Sequence, residues 1–272
     1  MTARPTPQRV RAGHVAWVGE RLGERDWHIL TAVNRLHLLT GLQIERLCFA
    51  NLTGRSRTVT RARVLSRLIA WRVLQRLPRR IGGAMRGSSV AVYALDTTAQ
   101  RLLIQRANGS AVPTLVRKAS VPSDRFIAHI LAVSELAVQL VEAERRGELR
   151  LRQFTAEPAA WWPNGQGGWL KPDAFIVVSN GAVDHLYWAE ADRATESLAT
   201  IGRKLRTYLD FVQRGQVGPR GAIPRVLITV PHLARQAAIT GLVARLPPPA
   251  EELFRVALDR DATAAICQYL SG

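Results

Sequence analysis

The sequence predicts an α/β protein: an N-terminal winged helix-turn-helix followed by a restriction-endonuclease-like mixed sheet flanked by helices. Three observations carry this. Charge is one-sided: residues 1–118 hold 21 Lys/Arg against 5 Asp/Glu, residues 119–272 hold 17 against 16, and together they make the net +17. The first part reads as three helices and a basic hairpin, the order of a winged helix. The second reads as α-β-β-β-α-β-α-β-α, a strand meander followed by helix crossovers to further strands.

At 272 residues and 47% hydrophobic content, the chain can bury one large core or two ordinary ones. Cys48 and Cys267 lie far apart without metal-type spacing, so a disulfide scaffold is not expected and a reducing cytoplasm fits. No apolar run is expected to reach the length of a membrane span, and the start "MTARPTPQRVRAGH" has no apolar secretory segment. Residues 1–21 read as a flexible basic arm, 22–107 as the winged helix, 108–122 as a linker and 123–272 as the nuclease-like domain.

In the first part, Ile29, Leu30, Val33 and Leu36 recur at helical spacing. Thr40 with Gln43 three residues on has the form of a capping box and starts a second helix. In "SRTVTRARVLSRLIAW" the apolar stripe is taken as Val59, Ala62, Leu65 and Ile69, which leaves Arg57, Thr60, Arg63 and Arg67 in front with Arg61 on the flank. Such a front suits guanine edges and phosphates of double-stranded DNA. The hairpin that follows carries Arg79, Arg80 and Arg86 at its turn. Its glycines lack the GxxxxGK[ST] pattern of a nucleotide-binding loop. The plainer reading of all these arginines is a solvated helical domain.

In the second part, Ile127, Ile130, Leu131, Leu136, Leu140 and Val141 mark a long helix, and "WLKPDAFIVVS" and "HLYWAEAD" two strands joined by the tight turn "NGAVD". Hydrolysis of a phosphodiester with Mg²⁺ needs carboxylates that converge on one side of a sheet. Asp173 follows Pro172 at the head of one strand, and Glu190 and Asp192 stand two apart on the next, which predicts one shared face. Asp173, Glu190 and Asp192 are thus the candidate metal ligands and, with Lys204, the candidate catalytic residues; Glu135 is a candidate outer ligand. The pattern resembles PD-(D/E)XK with "EAD" where E-x-K is expected. Lys204, on the following helix, is the candidate replacement for the missing lysine. The alternative reading makes these acids caps and strand-end ion-pair partners.

"LLTGLQIERLCF", "RARVLSRL", the "RRIGGAMRGSSVAVYALD" hairpin, "KPDAF" and "YWAEADRATES…KLRTYLDF" together resemble the replication-relaxation family of plasmids and integrative elements, common in actinobacteria. The resemblance implies DNA binding in plasmid replication, relaxation or transfer, with the protein in the cytoplasm on nucleoid or plasmid. It also implies that Glu-x-Asp is a family feature. Two functions follow as expectations: a DNA-docking protein that nicks through a metal site, or a non-catalytic regulator or adaptor whose second domain makes a dimer or partner surface. A homodimer would suit palindromic sites. Trp161, Trp162 and Trp169 around "PNGQGG" could stack on melted origin DNA, or simply anchor their loop. A tyrosine-type relaxase would have to use Tyr208, and the six histidines are scattered rather than clustered.

Overall fold

In a computed structural model of the chain, residues 10–77, 81–82, 89–106 and 123–270 are described. They form two compact units that divide after Asp124. The protein is mixed α/β.

The first unit runs α1 (Ala12–Gly19), α2 (Glu24–Leu36), β1 (Leu39–Thr40), α3 (Gly41–Cys48), α4 (Gly54–Ala70), β2 (Leu74–Arg76), β3 (Ile81–Gly82), β4 (Ser89–Val90), β5 (Val92–Leu95) and α5 (Thr97–Arg106). β5 is the centre of a three-stranded antiparallel sheet in the order β1-β5-β2, and β3 pairs with β4. The expected arm is helical over α1, where Val15 and Val18 are fully buried. Arg101 Nη1 donates to the Val10 carbonyl at 2.7 Å, and α1 lies against α5.

α2 buries Ile29, Leu30, Val33 and Leu36. α3 opens with the expected box: the Thr40 side chain accepts from the Gln43 N–H at 3.1 Å, and Gln43 accepts from the Thr40 N–H at 2.9 Å.

α4 is rotated from the expected orientation. Val59 is 45% exposed and Ala62 is exposed, whereas Leu65 and Leu68 are buried. Arg57, Arg61, Leu65 and Leu68 recur at helical spacing, so the two arginines share the inward face. There the Glu45 carboxylate of α3 takes both, Arg61 at 2.7 Å and Arg57 at 3.2 Å. An acceptor on the neighbouring helix outweighs the burial of one valine, because the arginine stems cover apolar surface while their heads are neutralised.

The second unit runs α6 (Asp124–Arg145), β6 (Arg150–Ala156), β7 (Trp162–Pro163), β8 (Trp169–Leu170), β9 (Ala174–Ser179), β10 (Asp184–Ala191), α7 (Leu198–Gln213), β11 (Arg225–Val230), α8 (Leu233–Val243), α9 (Ala250–Leu253), β12 (Phe254–Leu258) and α10 (Ala262–Leu270). Five strands form one sheet in the order β12-β11-β10-β9-β6. β6, β9 and β10 are antiparallel, while β10, β11 and β12 are parallel. β9 is buried along its whole length, as a strand covered on both faces should be. The expected strand through Trp169 and Asp173 is broken: β8 pairs with β7 as a separate hairpin, and Asp173 stands immediately before β9.

Trp188 is fully buried and centres the core between the sheet and α7, with Tyr208 and Phe211 at 5.6 Å between ring centroids. α6 has the length and hydropathy of a membrane-crossing helix, which was not expected from the sequence. Its residues Ile127, Val133, Ala137, Val138 and Leu140 are buried within the protein.

One buried acid ties the first unit together. Asp26, 3% exposed, receives Arg67 Nη2 at 2.6 and 2.7 Å and also accepts from the Gly23 N–H at 3.0 Å at the start of α2. Asp26→Ala removes a helix cap and the bridge from α2 to α4. It is expected to destabilise the first unit by about 1–2 kcal/mol, read as a lower denaturant midpoint at unchanged m-value.

Candidate functional site

Register places three acids in one row. Ala156 pairs with Ala174 and Ala174 with Ala189, so the next step of each ladder sets Glu157, Asp173 and Glu190 side by side across β6, β9 and β10. The backbone keeps that spacing beyond the strand ends. The Glu157 N–H donates to the Asp173 carbonyl and the Asp173 N–H to the Ala189 carbonyl, each at 2.9 Å. Residues directly opposite in antiparallel strands point to the same face, so the three carboxylates emerge together.

Asp173, 6% exposed, is the centre of the row. Its Oδ2 accepts the Ala191 N–H at 2.7 Å, and its Oδ1 lies 3.3 Å from Nε2 of His129 on α6. The same Nε2 lies 3.6 Å from Glu157 Oε1. Hydrogen bonds to Asp173 and then Glu157 raise the His129 pKa to about 10, against the opposing effect of burial. The imidazole is therefore an imidazolium at neutral pH when the acids have no other cation. The ligand atoms of His129, Glu157 and Asp173 all lie within 4.8 Å of one another, an arrangement that can hold a metal ion.

Glu190 faces the other way along the row. Tyr208, from α7, donates its hydroxyl to Oε1, and Lys204, one turn earlier, is ion-paired with Oε2. Burial raises the Glu190 pKa to about 7, and neighbouring Asp173 adds to this while Lys204 and Tyr208 oppose it. Burial alone would lower the Lys204 pKa, but Glu190 and Asp173 raise it, so the ammonium stays charged. Burial and the adjacent Glu190 push Tyr208 well above the usual phenol range, which leaves it a hydrogen-bond donor rather than a nucleophile.

The structure thus brings Asp173, Glu190 and Lys204 together. Asp192 is drawn elsewhere. Beyond the end of β10 its two oxygens receive Arg235 of α8 at 2.7 and 3.0 Å, and Oδ2 also accepts the Ala194 N–H at 3.2 Å. His129 and Glu157, absent from the sequence expectation, complete the cluster in its place. Glu135 is not a member of it. The register was the missing signal: Glu157 ends a strand as Asp173 begins the next.

In the first unit the expected DNA contacts divide. Arg57 and Arg61 are held by Glu45, Arg67 by Asp26, and Thr60 is half-buried. Arg63 is exposed, and with it Arg55, Thr58, Val59, Ala62 and Ser66, so α4 presents a face of two arginines among small and β-branched residues. Arg79, Arg80 and Arg86 lie outside the described residues.

These features define a two-unit α/β protein with a basic helical first unit and a second unit whose sheet gathers acids against helix-borne cations. The family described as replication-relaxation matches residues 30–226, more than two thirds of the chain, and the chain belongs to it. That description points to a role in replication and relaxation. Neither the curated proteins nor the solved structures gave a match.

The cluster has a pH signature. A histidine whose pKa is raised in the folded state stabilises it fully below the unfolded value of 6.5 and loses that contribution as pH rises through about 10. In metal-free buffer the parent should therefore lose more stability between pH 7 and 10.5 than His129→Gln, measured by denaturant unfolding followed through tryptophan fluorescence.

Proposed function

We propose that this is a DNA-binding protein of a mobile element, in which the first unit is a winged helix that docks on double-stranded DNA. The second unit is a restriction-endonuclease-like domain that acts on a phosphodiester with a divalent cation held at Asp173. The observation that carries the reading is the in-register acidic row with Lys204 beside it. It supplies the acid–acid–cation set of PD-(D/E)XK chemistry, with the cation delivered from a helix.

The docking reading is supported by order and charge. The element sequence α2-β1-α3-α4-β2-β5, with β5 between β1 and β2, agrees with the order expected of a winged helix, and the net charge of the chain lies almost wholly in residues 1–118. The exposed face of α4 would enter the major groove, with Arg63 and Arg55 for phosphate or guanine and Val59 and Ala62 for thymine methyls.

Mg²⁺ is the cation such carboxylates ordinarily serve, and Asp173 would hold it. Bound there, it would polarise a phosphate oxygen and acidify an attacking water. Lys204, charged and within reach of Glu190, would orient that water and counter the charge that develops on the phosphate. Tyr208 would keep Glu190 in place through its hydroxyl.

A second reading has its own support. The closed pairs Asp192–Arg235 and Glu190–Lys204 are what a non-catalytic adaptor surface would also contain.

Incubation with supercoiled DNA of the protein's own element and Mg²⁺ separates the two. Open circles formed by the parent, and reduced at least a hundredfold in Asp173→Asn and Glu190→Gln, fit the first reading; intact supercoils with tight binding by all three proteins fit the second. For docking, Arg63→Ala should weaken binding by about 1–3 kcal/mol. Arg61→Ala, whose partner is Glu45, should lower stability more than affinity.

A further inference from the structure

We infer that His129, Glu157 and Asp173 form a site for a first-row transition divalent cation of the Mn²⁺ or Co²⁺ kind, on the β6 side of Asp173, with Glu190 outside the ligand set. The inference deepens the reading that Asp173 holds a cation: it names the other ligands and the class of ion.

Geometry comes first. Two donors at right angles around one ion, each about 2.1 Å from it, lie about 3 Å apart. His129 Nε2 stands 3.3 Å from the Asp173 oxygen and 3.6 Å from the Glu157 oxygen, each within a few tenths of an ångström of that value, and all three ligand atoms lie within 4.8 Å of one another. The three ligands come from three elements: His129 from α6, Glu157 from the end of β6, and Asp173 from the start of β9. The backbone hydrogen bond from Glu157 to Asp173 fixes the two carboxylates abreast. His129 and Glu157 are half-buried, so water and an ion reach the cluster from their side.

Donor chemistry decides the class. Mg²⁺ is a hard ion that prefers oxygen and keeps several waters, whereas imidazole nitrogen raises affinity for ions further along the transition series. One imidazole and two carboxylates neutralise a divalent ion and leave coordination positions open for water or a phosphate oxygen. Glu190 is a poor ligand by comparison, because Tyr208 and Lys204 occupy its two oxygens.

The test uses tag-free full-length protein stripped with chelator and titrated with Co²⁺, with binding read from visible absorption. The parent should take up Co²⁺ in a form that a hundredfold excess of Mg²⁺ does not displace. His129→Gln and Glu157→Gln should each bind at least about tenfold more weakly, and Glu190→Gln as the parent does. Far-UV circular dichroism checks that each variant is folded; should His129→Gln misfold, Glu157→Gln decides. No Co²⁺ uptake by the parent, or uptake lost in Glu190→Gln but kept in His129→Gln, overturns the site. Nicking with Mg²⁺ by a parent that binds no Co²⁺ would overturn this site alone. Co²⁺ uptake through His129 by a parent that never nicks would overturn the nuclease reading alone.

Discussion

The second unit is organised by the cost of burying anions. Asp173, Glu190 and Asp192 are each less than a tenth exposed, and a carboxylate withdrawn from water must find donors or lose its charge. The sheet gives them few. Asp173 receives one backbone N–H and Asp192 another, and the remaining donors come from helices: His129 from α6, Lys204 and Tyr208 from α7, Arg235 from α8. Each acid thereby pins a different helix to the strand ends. The positions of those helices and the electrostatics of the cluster are one arrangement, and a change to any acid loosens the packing as well as the charge.

The same device works differently in the first unit. Asp26 and Glu45 sit on α2 and α3; Asp26 draws Arg67 from α4, and Glu45 draws Arg57 and Arg61. These two contacts set the rotation of α4 about its axis. With Arg57 and Arg61 turned inward, Thr58, Val59, Ala62 and Arg63 face out. On the proposed reading, such a face of small and β-branched residues would approach a base-pair edge more closely than one made wholly of arginine. Internal ion pairs thus determine which side chains face solvent, and the raw arginine count of the helix overstates its free charge.

Much of the fold was legible because it rests on local periodicity and on order. The apolar spacing of α2, the Thr40–Gln43 box, the meander and the crossover strands all follow from short-range pattern. What escaped depends on distant partners. A helical wheel drawn for α4 has two usable apolar sides, and only Glu45, on another helix, selects between them. Asp192 sits two residues from Glu190, which predicts a common face, yet it lies beyond the last residue of β10, where alternation no longer governs direction and Arg235 does. His129 is a lone histidine beside Ile130, and Glu157 a lone acid before a proline. Only the pairing of β6 with β9 sets Glu157 beside Asp173, and only the placement of α6 brings His129 to both.

The Glu-x-Asp pattern, compared with the E-x-K that the sequence resembles, has a physical account. In that pattern the strand itself carries a cation two residues after the glutamate. Here the strand carries only acids, and the cations arrive on helices, Lys204 at Glu190 and Arg235 at Asp192. Asp192, held by two guanidinium contacts, anchors α8 to the end of β10. Lys204 on α7 keeps a positive charge beside Glu190, while the strand ends collect a row of carboxylates. Its outer member, Glu157, has His129 as its cation, and of the cations at the row an imidazolium is the one that can give up its proton and serve as a ligand. A protonated histidine between two acids is thus both the ion pair that stabilises the empty cluster and the group a divalent cation would convert.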